Sequence, residues 1–115
     1  MKVIICGGRD FDNITMLTKT MDAINAKTPI TLVITGGATG ADMYGDAWAH
    51  SRGIPHRVFP AYWKEHGHAA GPIRNKRMLT DGKPDMVVAF PGGKGTANMI
   101  KQATAHGVTV VRPAP

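Results

Sequence analysis

Five short apolar runs constrain this chain most: residues 2–6, 30–35, 55–59, 85–90 and 108–111, four of them followed by glycine or proline and then a helical pattern. The longer runs are continuous rather than alternating, the pattern of strands buried on both faces of a parallel sheet. The first helical pattern carries Ile14, Leu17, Met21 and Ile24, with Asp12 or Asn13 as its cap, and runs to about Ala26. A second spans residues 41–52 and closes at Gly53. Pro72 suits the first turn of a third, which carries Arg74 to Leu79 and ends at Gly82-Lys83-Pro84. The fourth spans 96–106 with Ala97, Ile100 and Ala103 inward and Gly107 at its end. Residues 60–71 show no period and are predicted to be irregular, and Pro113-Ala114-Pro115 to be a frayed tail. Strands alternating with helices specify an α/β protein with helices on both faces of one parallel sheet. Right-handed crossovers then favour the strand order 3-2-1-4-5. No repeat or linker divides the chain, so residues 1–115 are expected to form a single Rossmann-like domain.

In that order the chain reverses its direction of growth between strands one and four, and ligands of such sheets bind at the carboxyl ends of the strands beside the reversal. Two glycine-bearing loops fall there, Gly7-Gly8-Arg9-Asp10 and Pro91-Gly92-Gly93-Lys94-Gly95-Thr96, and a third, Gly36-Gly37-Ala38-Thr39-Gly40, falls next to them. Glycines let backbone amides approach an anion, and a helix starting at once adds unpaired donors and part of a positive charge. Pro-Gly-Gly-x-Gly on its own is equally the signature of a tight turn. Convergence of three such loops favours a phosphate site.

The charge is distributed to match. Net charge is +6, and residues 52–101 hold nine Lys/Arg against three Asp/Glu, whereas the remainder holds five of each. A basic half attracts nucleotides, polyanions or acidic partners. Nucleic acid stays open as a partner, although no recognition helix, zinc finger or aromatic RNA-binding motif can be read. The single Cys6 cannot form an internal disulfide, and with no membrane-length apolar stretch or signal sequence the expected setting is cytoplasmic.

Candidate chemistry is sparse. There is no G-x-G-x-x-G, P-loop or nucleophile elbow, and no metal or other cofactor is indicated. Arg74 and Asn75, early in the third helix, can face the loops, and an arginine forks onto phosphate or carboxylate. Lys76 and Arg77 read as a solvated face. Asp42 and Asp46 stand one turn apart; Asp42, beside the loop, is the candidate for acid/base or ribose contacts and Asp46 for a structural role. Trp63, His66 and His68 are candidate lid residues, and Tyr62 or Trp63 can stack on a base or pack in the core.

Pro91-Gly92-Gly93-Lys94-Gly95-Thr96, the Gly36 to Gly40 loop, and Arg74 with Met78 resemble the SLOG superfamily, which includes the LOG cytokinin-activating phosphoribohydrolases. Gly7-Gly8-Arg9-Asp10-Phe11, Thr35 to Asp42 and Ala70-Gly71-Pro72-Ile73-Arg74-Asn75 resemble its short YspA-like branch, so the likeness covers nearly the whole chain. The resemblance implies a Rossmann-like sheet, a nucleotide-type ligand with its phosphate on residues 91–96, and homodimers or higher homo-oligomers. LOG hydrolases carry P-G-G-x-G-T-x-x-E, and here the glutamate position is Met99; their R-K-x-x-M is Arg74-Asn75-Lys76-Arg77-Met78. A thioether neither accepts a proton nor holds a ribose hydroxyl as a carboxylate does.

The expected function is therefore binding: a nucleotide or ADP-ribose-like molecule held as a sensor or sequestering protein, in line with superfamily members that sense nucleotide signals in bacterial and phage conflict. The alternatives are a LOG-like phosphoribohydrolase acting on nucleoside monophosphates, with Asp42 and Arg74 as its catalytic candidates, and a nucleic-acid-binding accessory protein.

Overall fold

Runs that are apolar on both sides need cover on both sides, and the five runs do form one sheet in the computed structural model, which describes residues 1–114. Pro115, the end of the expected tail, lies outside the described residues. The elements are β1 (Lys2–Cys6), α1 (Ile14–Lys27), β2 (Leu32–Thr35), α2 (Ala41–Ser51), β3 (His56–Val58), α3 (Trp63–His66), α4 (Ala70–Thr80), β4 (Met86–Ala89), α5 (Lys94–Ala105) and β5 (Thr109–Val111). All neighbouring strands are parallel, in the order β3-β2-β1-β4-β5.

Alternation along the central strand assigns the helices to faces. Val3 and Ile5 join Val33 and Val88 beneath Leu17 and Met21 of α1 and Trp48 and Ala49 of α2. Ile4 and Cys6 join Ile34, Val87 and Ala89 beneath Met78 and Leu79 of α4 and Met99 and Ala103 of α5. Two sheet faces thus become two cores, and β1 feeds both. Asn13 is the cap of α1, its side chain accepting from the Met16 amide. Ile14 is exposed, because it occupies the first helical position, a turn ahead of Leu17, where contact with the sheet begins.

Two expectations need correction. Residues 60–71 are not irregular: α3 is followed by a 3-10 turn over Gly67–Ala69, and α4 already begins at Ala70, two residues before Pro72. Single helical turns are too short to display a period, and Gly67, at φ +55, separates them. In α5 the inward face is Thr96, Met99 and Ala103, with Ala97 exposed and Ile100 half-buried. Thr96 sets that rotation: its hydroxyl occupies the space a Cβ on Gly92 would need. Among the described residues, no helix is long and apolar enough to cross a membrane.

Candidate functional site

The loop after β1 and the loop after β4 meet backbone to backbone, Gly8 N–H donating to Pro91 O at 2.9 Å. The loop after β2 closes from the other side, the Ala41 amide donating to Gly8 O at 3.2 Å. Sequence-distant glycines therefore form one wall. Gly40 makes this possible. It sits at φ +79, ψ −130, and a Cβ there would lie 2.5 Å from Arg9 O and 2.7 Å from Arg9 C. The result is a crevice of about 1020 Å³ at the carboxyl ends of the central strands, the upper end of the usual size for a small-molecule site.

One side of the crevice is residues Pro91 to Thr96 and the start of α5. The first intrahelical bond there is from the Ala97 amide to Gly93 O, so the amides of Lys94, Gly95 and Thr96, residues that border the crevice, precede the ladder and have no intrahelical acceptor. Gly93 is the N-cap and supplies no side-chain acceptor for them. The opposite side is α4. Arg74 Nη1 donates to Gly36 O at 2.9 Å and its Nε to Asn75 Oδ1 at 3.0 Å. The guanidinium lies flat against Gly36, whose missing Cβ leaves the room. Burial and then the charge of Arg9 weaken its hold on the proton, Asp42 opposing them, but an arginine stays charged.

Asn75 is buried and committed to the scaffold: its amide donates to Gly95 O and to Asn98 Oδ1 at 3.1 Å, tying α4 to the loop that opens α5. Asn98 in turn accepts from Gln102 at 2.7 Å. The sequence reading missed Asn98 and Gln102. Their spacing of four on the α5 face that meets α4 was the available signal.

Asp42 is 6% exposed, and one carboxylate oxygen accepts from the amides of Gly36 (3.1 Å) and Ala38 (3.3 Å), pinning the β2 loop. Burial raises its carboxyl to about 6, with those amides and Arg74 pulling the other way. A raised folded value means that its contribution to stability is present below the ordinary carboxyl range and is lost as pH rises through about 6. Above that pH it also repels an anion in the crevice. Sulfate, whose charge is constant over this range, should bind about threefold to tenfold more tightly at pH 5 than at pH 7.5. Calorimetry in a His68→Gln background checks this, since His68 borders the crevice, and Asp42→Asn should flatten the difference. Asp46 is structural, accepting from the Thr35 hydroxyl at 3.0 Å.

The crevice floor is apolar, made by Cys6, Met78 and Met99. Burial pushes the Cys6 thiol up to about 12, which removes it as a nucleophile. Met99 is 1% exposed, packed into the core beneath α4 and α5.

Other candidates separate. Gly7, Gly8, Arg9, Asp10, Trp63 and His68 border the crevice; His66 does not, and lies 3.7 Å from Glu65. Gly37 and Thr39 face an adjoining smaller cavity, and Gly40 serves loop closure. Tyr62 and Trp63 are both about half exposed, so neither packs in the core. Arg77 is not a freely solvated charge: its guanidinium lies 5.5 Å from the ring centroids of both Phe59 and Tyr62. Buried Phe59 and half-exposed Tyr62, on the β3–α4 connection, flank this arginine, a placement that helical spacing alone does not reveal.

A parallel sheet with a basic, amide-lined crevice at its topological reversal defines a Rossmann-like α/β domain. Residues 1–66 match the family model described as YspA, cpYpsA-related SLOG family. Over 118 residues the chain is also 31% identical to the Gene 61 protein of Mycobacterium phage D29, covering 96% of this chain and 94% of that protein. The chain belongs to this SLOG family.

Proposed function

We propose that the protein binds a nucleotide or ADP-ribose-like phosphorylated molecule in this crevice, as a sensor or a sequestering protein, rather than turning it over. The observation that carries the reading is the pairing of open α5 amides over Lys94 to Thr96 with the fixed guanidinium of Arg74 across the same crevice. Amides at a helix start take a phosphate without a counter-charge of their own, and a pinned arginine adds direction. Family membership supports a nucleotide-related ligand. Against turnover stands the floor: Met99 holds the position of the hydrolase glutamate, and Asp42 already accepts two backbone amides.

The test is Gly93→Asp. A Cβ at Gly93 meets nothing within 4 Å, and aspartate is a favourable N-cap, so the variant should keep its melting temperature. It should nevertheless bind nucleoside monophosphates and ADP-ribose about 100-fold more weakly by calorimetry, because a carboxylate then competes for the amides. Unchanged affinity would leave residues 91–96 as no more than a turn. Ligand recovered intact after denaturation is expected, and multiple-turnover release of free base would establish the hydrolase instead.

A further inference from the structure

Resting on that binding reading, we propose that the ligand is two-lobed, its halves joined by a diphosphate: one phosphate lies at the α5 amides, the next between Arg9 and Arg74, and the second ring system enters a side chamber behind Trp63.

The side chamber has a volume of about 360 Å³ and adjoins the main crevice. Arg9, Gly36, Ala38, Trp63 and Arg74 border both spaces. Between them, the Arg9 guanidinium stands 5.7 Å from the Trp63 ring centroid. Arg9 is exposed and Trp63 half exposed, and among the described residues no hydrogen bond fixes either side chain, so side-chain rotation alone can join the two spaces. The chamber walls include Val58, Pro60 and Ala61, apolar surfaces suited to the flat or puckered ring of a base or sugar.

Electrostatics single out the junction. Arg9 and Arg74 both border it and repel each other, although the attraction of buried Asp42 for Arg74 outweighs that repulsion, and among the described residues neither forms a salt bridge. Asp10, on the same rim, pairs with neither, and Asp42 is engaged by the Gly36 and Ala38 amides. Among the described residues Arg74 Nη2 donates to no protein acceptor while Nε and Nη1 are fixed, which leaves a donor of the guanidinium fork for a ligand. An anion between the guanidiniums relieves the repulsion and draws Arg9 off Trp63, whose exposed face then becomes a stacking surface. Arg9 directly follows Gly8, which is bonded to Pro91, so the two anion positions are neighbours along one wall, as adjacent phosphates require.

Calorimetry with AMP, ADP and ADP-ribose separates the parts. ADP should bind about tenfold more tightly than AMP, and Arg9→Ala should erase that gain. ADP-ribose should gain a further factor of about five to ten over ADP. Ala61→Phe, which fills the chamber, should remove this second gain while leaving AMP within about twofold of wild type. Val58→Trp, at an exposed position on the chamber wall, provides a second block should the first variant fold poorly. Equal affinities for the three probes, or chamber-blocking variants that weaken all three alike, overturn the two-lobed ligand and leave nucleotide binding standing if Gly93→Asp still weakens it about 100-fold. Binding of none of the probes overturns both.

Discussion

Replacing Gly40 by alanine should lower stability by roughly 3 kcal/mol, which for a domain of this size is a fall in melting temperature of about 10 °C or more. Two causes act together. The backbone at φ +79, ψ −130 lies where residues with a Cβ are strained, and the new methyl collides with the carbonyl groups of Gly8 and Arg9. These are backbone atoms locked to Pro91 through Gly8, so they cannot yield as a flexible side chain would. Gly36→Ala is the instructive contrast. The atoms nearest its Cβ all belong to the Arg74 guanidinium, so the arginine should swing away, and ligand affinity should fall with little loss of fold. Thermal unfolding of the two variants side by side checks the distinction. A Gly40→Ala protein as stable as wild type would mean the loops are not locked together.

Met99→Glu, which restores the residue of the hydrolases this chain resembles, should cost about 3 kcal/mol at pH 8. The side chain would enter a core of Ile4, Cys6, Phe59 and Met78, where no partner is in place for a carboxylate. Burial raises a carboxyl above its unfolded value near 4.3, so the variant is least destabilised at low pH and loses stability as pH rises past that value. Urea unfolding at pH 4.5 and pH 8 reads this directly. A pH-independent loss would place the carboxylate in the crevice that Met99 and Arg74 both line, and would revive the hydrolytic reading.

The sheet was legible for a simple reason. The stretches 3–6, 32–34 and 86–90 are apolar without interruption, and a covered parallel sheet buries both sides of such segments. Glycines at loop ends were equally legible as markers of close backbone approach. Less legible was whatever depends on which atoms meet across the fold. Asn75 stood beside Arg74 as a candidate for ligand contact, yet its amide fastens two helices. Asp42 stood beside the Gly36 to Gly40 loop as a candidate acid, yet its carboxylate pins that loop. Thr96 rather than Ala97 faces inward because helix rotation is set at a tight N-terminus rather than by the apolar count.

By itself, then, the sequence determined the α/β class, the strand order and the carboxyl-end position of the crevice. Each follows from local pattern or residue identity, which the chain carries wherever it folds. Only the tertiary structure decided that Arg74 is pinned against Gly36, that Met99 lies in the core, and that Arg9 and Trp63 stand between two chambers. Those facts depend on distances between segments dozens of residues apart, which packing of the two helical layers on one sheet sets and no local pattern encodes.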